Sequence, residues 1–175
     1  MRKLVMLSVL LALVVPGTSN AANDANQAIT FWAAASNPAY QNTDLSVWLG
    51  YRQDVEDGLA AEGGIAFDWR MFAEADTPDQ IQSAFAVGPY GILHFPELIN
   101  VPNPFDVAWL GDTLIGEPFI GFSYLFDLDG KGTSINPFIG ARVFDLLALT
   151  YEYQTFQGSS AADGGKIGIS LQYKF

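Results

Sequence analysis

Ile167-Gly168-Ile169-Ser170-Leu171-Gln172-Tyr173-Lys174-Phe175 alternates without a break, with Ile, Ile, Leu, Tyr and Phe on one face and Gly, Ser, Gln and Lys on the other. Side chains of a β-strand point alternately to opposite sides, so this segment reads as a strand whose two faces meet different surroundings. The other end of the chain has a different character. Arg2 and Lys3 precede the apolar run Leu4 to Val15, and Pro16-Gly17-Thr18-Ser19-Asn20-Ala21 follows it. A basic start, a short apolar core and a Ser-x-Ala site predict an export signal, residues 1–21, cut after Ala21. The run is shorter than the ~20 residues a spanning helix needs.

Cleavage would leave 22–175 as a single domain of 154 residues, the 175 of the full chain less 21. No later segment is apolar for long enough to span a bilayer as a helix. The remaining membrane-compatible solution is a closed barrel, whose strands need only about 9–11 residues each. The chain contains no cysteine, which excludes disulfide frameworks, thiolate catalysis and thiolate metal sites. Its net charge of −11 falls by two, to −13, with the loss of Arg2 and Lys3. Nucleic acid is therefore not an expected partner, because phosphate binding needs concentrated positive charge.

Working back from the last strand, seven more segments alternate in the same way. They are 27–35, 43–53, 60–72, 80–93, 114–126, 135–144 and 147–156. Gly88-Pro89-Tyr90-Gly91 interrupts the pattern of the fourth. Residues 94–113, with Pro96, Pro102 and Pro104, read as a long connection in which Val107 to Leu110 could form a short strand. Asp54-Val55-Glu56-Asp57-Gly58 reads as a turn. Glu117-Pro118-Phe119-Ile120-Gly121 and Asn136-Pro137-Phe138-Ile139-Gly140 share a Pro-Phe-Ile-Gly core nineteen residues apart, the spacing of one strand plus one connection. A hairpin duplication or a shared chemical demand at equivalent barrel positions would each explain it.

Charge placement orients the wall. Arg52, Asp68, Arg70, Glu117, Arg142, Glu152 and Lys174 all fall on the face opposite the aliphatic and aromatic series. Facing hydrocarbon, each would cost up to several kcal/mol; facing a lumen, they can pair. They define an expected lumen charge network, packed among Trp32, Trp48, Phe72, Phe119 and Phe138, which would fill a small barrel and leave no wide pore. A lipocalin-like secreted barrel would invert the arrangement, with the apolar face around a ligand. Tyr51, Trp69, Tyr124, Tyr151, Tyr153, Tyr173 and Phe175 lie near strand ends on the apolar face, which suits a hydrocarbon–water boundary. The fold expected is all-β, an eight-stranded antiparallel transmembrane β-barrel with up-and-down topology. Both termini and the 94–113 connection would then lie at one end, with external loops near 36–43, 73–79, 127–134 and 157–165.

The signal segment, the eight amphipathic strands and the final Tyr-Lys-Phe resemble small bacterial outer-membrane barrels, of the kind found as the membrane domain of OmpA-like proteins and in opacity-type adhesins. The resemblance covers most of 27–175. It implies that Tyr173 and Phe175 form the signal read by the barrel-insertion machinery, and that the protein sits in the bacterial outer membrane as a monomer among lipid and lipopolysaccharide. No peptidoglycan-binding domain is expected after the barrel, so the anchoring role of longer relatives is not expected to carry over. Three roles stay open: a non-enzymatic structural, adhesion or surface-interaction barrel, a narrow channel, and the secreted lipocalin-like carrier.

The remaining reactive groups read as structural. His94, the sole histidine, has no Ser/His signature around it and reads as a polar interface or loop residue. Asp127-Leu128-Asp129-Gly130-Lys131-Gly132 lacks the remaining ligands of an EF-hand and reads as a solvated turn. The acidic groups Asp54, Glu56, Asp57 and Glu74, Asp76, Asp79 read alike. No catalytic residue, metal ligand or cofactor is expected.

Overall fold

The computed structural model describes residues 27–36, 43–74, 77–105, 113–128, 132–144, 146–157 and 164–174, with only the backbone given at some strand ends. Among the described residues nine strands follow one another: β1 (Gln27–Ser36), β2 (Thr43–Glu56), β3 (Leu59–Glu74), β4 (Thr77–His94), β5 (Asn100–Pro102), β6 (Thr113–Asp127), β7 (Thr133–Phe144), β8 (Leu147–Gln157) and β9 (Gly164–Lys174). All pairings are antiparallel. Each long strand pairs with its neighbours in sequence, β1 pairs with β9, and β4 pairs with β6, which closes the sheet into an eight-stranded up-and-down barrel. Closure gives every long strand a partner on both sides, so the ladder satisfies the backbone groups of the doubly paired stretches.

The extra short strand, β5, explains the difficult stretch between β4 and β6. β4 meets β6 only from Ala86↔Asp127 to His94↔Phe119. Below that point Asn100, Val101 and Pro102 take over as partners of Ile115, Leu114 and Thr113. The short strand thus continues the wall where β4 has ended. Its three residues sit next to Pro104 and close behind Pro96, which limits how far a ladder can run. The expected short strand at Val107 to Leu110 lies outside the described residues.

Other boundaries also move. The Gly88-Pro89-Tyr90-Gly91 segment does not break β4, because its residues keep register with Ala66 to Gly63 of β3. The strands β2 and β3 run to within two residues of each other, and the turn is only Asp57-Gly58 rather than five residues. Both have positive φ, 50° and 80°, as a two-residue hairpin of the primed type requires. The loop expected over 73–79 shrinks to 75–76 because β3 extends to Glu74 and β4 starts at Thr77. The turn at 57–58, Leu146, the end of β4, β5, the start of β6, the start of β1 and the end of β9 lie at one end of the barrel, the tight-turn end. The opposite strand ends define the loop end.

The two faces of the wall separate cleanly. Ile139 is 58 % exposed and Phe122 55 %, and Ile29, Ile65, Phe67, Leu149 and Ile169 are likewise exposed. Trp32, by contrast, is 1 % exposed, and Trp48, Phe119 and Phe138 are buried with it. The buried rings lie edge to face or tilted, with centroids 5.2 to 6.4 Å apart, in the usual range for aromatic pairs. They form a plug across the middle of the lumen, which is where a small barrel is just wide enough to be filled by side chains. The side chain of Phe72 lies outside the described residues.

Candidate functional site: two charged layers in the lumen

Polar side chains line the lumen on both sides of the aromatic plug. On the tight-turn side the centre is Glu62. Its Oε1 accepts from Thr30 Oγ1 at 2.7 Å, Trp32 Nε1 at 2.7 Å and the Tyr90 hydroxyl at 2.8 Å. Its Oε2 lies 3.0 Å from His94 Nε2 and 3.4 Å from Gln172 Nε2. The donors come from β1, β4 and β9, so one carboxylate on β3 ties together strands from around the barrel. A buried carboxylate is tolerated where hydrogen bonds replace its lost water, and charge-assisted bonds of this kind are the stronger class.

His94 links this centre to a second one. It is 0 % exposed, the last residue of β4, and its Nδ1 lies 2.8 Å from Glu117 Oε1, off the line of a good hydrogen bond. Glu117 also receives Arg52 Nη1 at 2.6 Å on Oε1, while Arg142 Nη2 contacts Oε2. Arg52 reaches Asp54 at 3.5 Å, and Arg142 reaches Glu97 at 3.5 Å. The layer therefore ends in a rim of more exposed acids. A cavity of about 470 Å³ opens there, with Arg52 and Glu117 facing into it beside Asp57, Leu59, Phe95 and Glu97.

On the loop side the layer is organised around Arg70 and Lys166. Arg70 Nη2 donates to Ser134 Oγ at 3.0 Å and lies 3.5 Å from Asp68 Oδ2, while Nη1 is 3.9 Å from Asp127 Oδ1. Lys166 contacts Asp44. Asn136 Nδ2 donates to Ser123 Oγ at 3.1 Å. Glu152 lines a small cavity of about 20 Å³ directly above the plug, together with Ser46, Trp48, Phe138, Thr150 and Ser170.

The structure thus divides the expected charge network in two. Arg52, Glu117 and Arg142 form one group; Asp68, Arg70 and Glu152 share the other layer. Lys174 pairs with Thr30 through the backbone of β9 and β1, on the inward face, and Tyr173 pairs with Phe31. The side chains of Lys174 and Tyr173, and Phe175, lie outside the described residues. So do residues 1–21.

His94 is not a loop or interface residue: it is wholly enclosed in the lumen. Asp127 is also not a solvated turn residue, since its side chain is 6 % exposed and faces Arg70. The expectation missed Glu62, Asp44 and Lys166. All three were within reach of the same parity rule. Glu62 is inward in register with Gly64, Ala66 and Asp68; Asp44 precedes Ser46 and Trp48; Lys166 precedes Gly168 and Ser170.

Chemically, both layers are frameworks of opposed charges. Both ring nitrogens of His94 face carboxylates, and no Ser or Thr hydroxyl lies at hydrogen-bonding distance from them among the described residues. No group of three or more His, Asp or Glu side chains among the described residues is arranged to hold a metal ion. No protein-family model matches the chain, and a search of curated proteins finds no relative.

Proposed function

We propose that the protein is a non-enzymatic bacterial outer-membrane barrel with a structural, adhesion or surface-interaction role, exported by its N-terminal segment and held as a monomer in lipid and lipopolysaccharide. One observation carries this reading: the apolar side chains of the wall face outward while its charges face inward. Monomeric soluble proteins rarely expose contiguous apolar patches beyond a few hundred Å². Here Ile29, Leu49, Ile65, Phe67, Ile120, Phe122, Ile139, Leu149, Ile167 and Ile169 from seven strands are all exposed. A lipocalin-like carrier needs the reverse, an apolar interior around its ligand, whereas this interior holds Arg52, Glu62, Arg70, His94, Glu117 and Arg142. Inward charge and outward aliphatics are the pattern of a transmembrane β-barrel.

The reading places the loop end outside the cell, because short turns face the periplasm in bacterial barrels. The last strand, ending in Tyr173, Lys174 and Phe175, would be the part presented to the insertion machinery. With the lumen filled at mid-height, exchange with other molecules is assigned to the loops rather than to a pore.

Cell fractionation combined with heat-modifiable gel mobility tests this. Recovery in the outer membrane, with unheated protein migrating differently from boiled protein, is the expected result. Recovery in a soluble fraction without detergent would overturn it.

A further inference from the structure

Beyond His94 the chain leaves the long strand, yet its side chains keep sorting as those of the wall do. Glu97 reaches Arg142 at 3.5 Å at the mouth of the lumen and accepts from Asn100 Nδ2 at 2.9 Å, and Asn100 stands opposite the inward Ile115. Val101 is exposed and stands opposite Leu114, on the outward face. Ile99 lies over Gly116 of β6, where an added Cβ would come within 3.0 Å of Ile99 Cβ. Two backbone bonds hold it there, Leu98 N to Gly116 O at 2.8 Å and Gly116 N to Ile99 O at 2.9 Å. Leu98 itself is 78 % exposed. Polar groups turned to the lumen and three large aliphatic side chains left outside continue the pattern of the wall, where Phe122, Ile120 and Pro118 precede Gly116 on the outward face of β6.

Height along the wall fixes the depth of this segment. Tyr124 and Phe126 pack edge to face at 4.8 Å near the loop end of β6, as rings at a hydrocarbon boundary do. Measured down the barrel axis from Phe126, Ile99 and Gly116 lie about 25 Å away and Val101 and Leu114 about 30 Å, for a strand rising ~3.4 Å per residue at a tilt of about 40°. The apolar band of a transmembrane barrel is about 25 Å tall, so this segment falls at its lower edge. The backbone requires the same level. Among the described residues β5 pairs with β6 alone, which leaves its other edge without a ladder. Unpaired N–H and C=O groups are not tolerated in hydrocarbon but are hydrated among headgroups.

With the wall read as lipid-facing, we propose that residues 98–101 dock on phospholipid at the headgroup–acyl boundary of the periplasmic leaflet. Leu98, Ile99 and Val101 lie among the outermost acyl segments, and the unpaired edge of β5 lies among the headgroups. This part of the connection is then a piece of the membrane anchor and not a loop in periplasmic water.

Depth-dependent quenching tests the placement. Ile99→Cys, Val101→Cys and, as a reference within the wall, Phe122→Cys are labelled with one thiol-reactive fluorophore in the full-length protein, folded in phosphatidylethanolamine–phosphatidylglycerol vesicles and checked by heat-modifiable mobility. The vesicles carry a nitroxide on the acyl chain, either near the headgroup or near the chain end. Labels at 99 and 101 should lose more fluorescence to the shallow nitroxide than to the deep one, and the label at 122 more to the deep one. Should Ile99→Cys not fold, Val101→Cys carries the same test. Loss at 122 with none at 99 or 101 from either nitroxide would overturn the proposal while leaving the lipid-facing wall intact. Stronger loss to the deep nitroxide at 99 and 101 would overturn it as well. No loss at any of the three positions would remove the lipid-facing wall itself, and the docking segment with it.

Discussion

The ring of Phe119 on β6 lies over Gly140 of β7, its partner in the ladder, and two rungs away Phe138 lies over Gly121. A Cβ added at Gly140 would collide with the Phe119 ring, and one at Gly121 would meet the Phe138 ring at 2.5 Å. This reciprocal packing accounts for the repeated Pro-Phe-Ile-Gly sequence. Each copy supplies a ring for the plug and a gap for the ring of the other. Gly140→Ala should destabilise the barrel by about 1–3 kcal/mol, the usual cost of overpacking. Phe119→Leu should rescue it only in part, because the added Cβ also meets Leu149 O at 2.5 Å. Urea unfolding of the two single variants and the double variant measures this, and full rescue would contradict the packing described.

The Arg52–Glu117–Arg142 group gives a sharper contrast. Glu117→Leu alone leaves two buried guanidinium groups opposed, and breaking a buried pair in this way costs about 3–5 kcal/mol. Replacing all three residues by Met, Leu and Met should cost far less, since a compensated buried ionic group is often no better than an apolar one of the same volume. Denaturant midpoints decide it. A triple variant less stable than Glu117→Leu would show that the charges stabilise the barrel outright.

Glu62 and His94 should differ in importance. Glu62→Leu strands the donors of Thr30, Trp32 and Tyr90 in the lumen, each unsatisfied group costing about 1–3 kcal/mol. His94→Gln keeps a hydrogen-bonding side chain beside both carboxylates and should be the milder change. Folding yield and urea midpoint of the two variants should rank in that order.

The plug predicts electrical silence. Wild-type protein in planar bilayers should show no reproducible single-channel conductance, because Trp32, Trp48, Phe119 and Phe138 close the lumen between the two charged layers. Trp48→Ala combined with Phe138→Ala should introduce one. Reproducible conductance in the wild type would favour the narrow-channel role instead.

The wall was readable from the sequence because a barrel strand has one rule along its whole length. Among the described side chains, inward and outward positions alternate in β6, β7, β8 and β9 as the sequence alternation requires, and the charges follow. What the sequence hid has two causes. Pro89 looked like a break in β4, yet it sits on the outward face and its register with Ile65 is kept. His94 looked like the start of a loop because Pro96 follows it. Its partners Glu62 and Glu117 stand 32 and 23 residues away along the chain, and only closure of β4 against both β3 and β6 brings them to one imidazole. Strand parity shows which way a side chain points; it does not show what meets it across the lumen.

Phe122 and Ser123 are neighbours on β6 with opposite fates, one 55 % exposed outside and the other 1 % exposed inside. Because the chain has no cysteine, Phe122→Cys and Ser123→Cys each offer a single position for a thiol-reactive fluorophore in protein inserted into lipid vesicles. The account predicts that the label at 122 is quenched by nitroxide-bearing lipid chains and shielded from aqueous iodide, while position 123 resists both lipid quenching and labelling until the barrel is unfolded. Iodide quenching at 122 with no effect of the lipid nitroxide would contradict a lipid-facing wall.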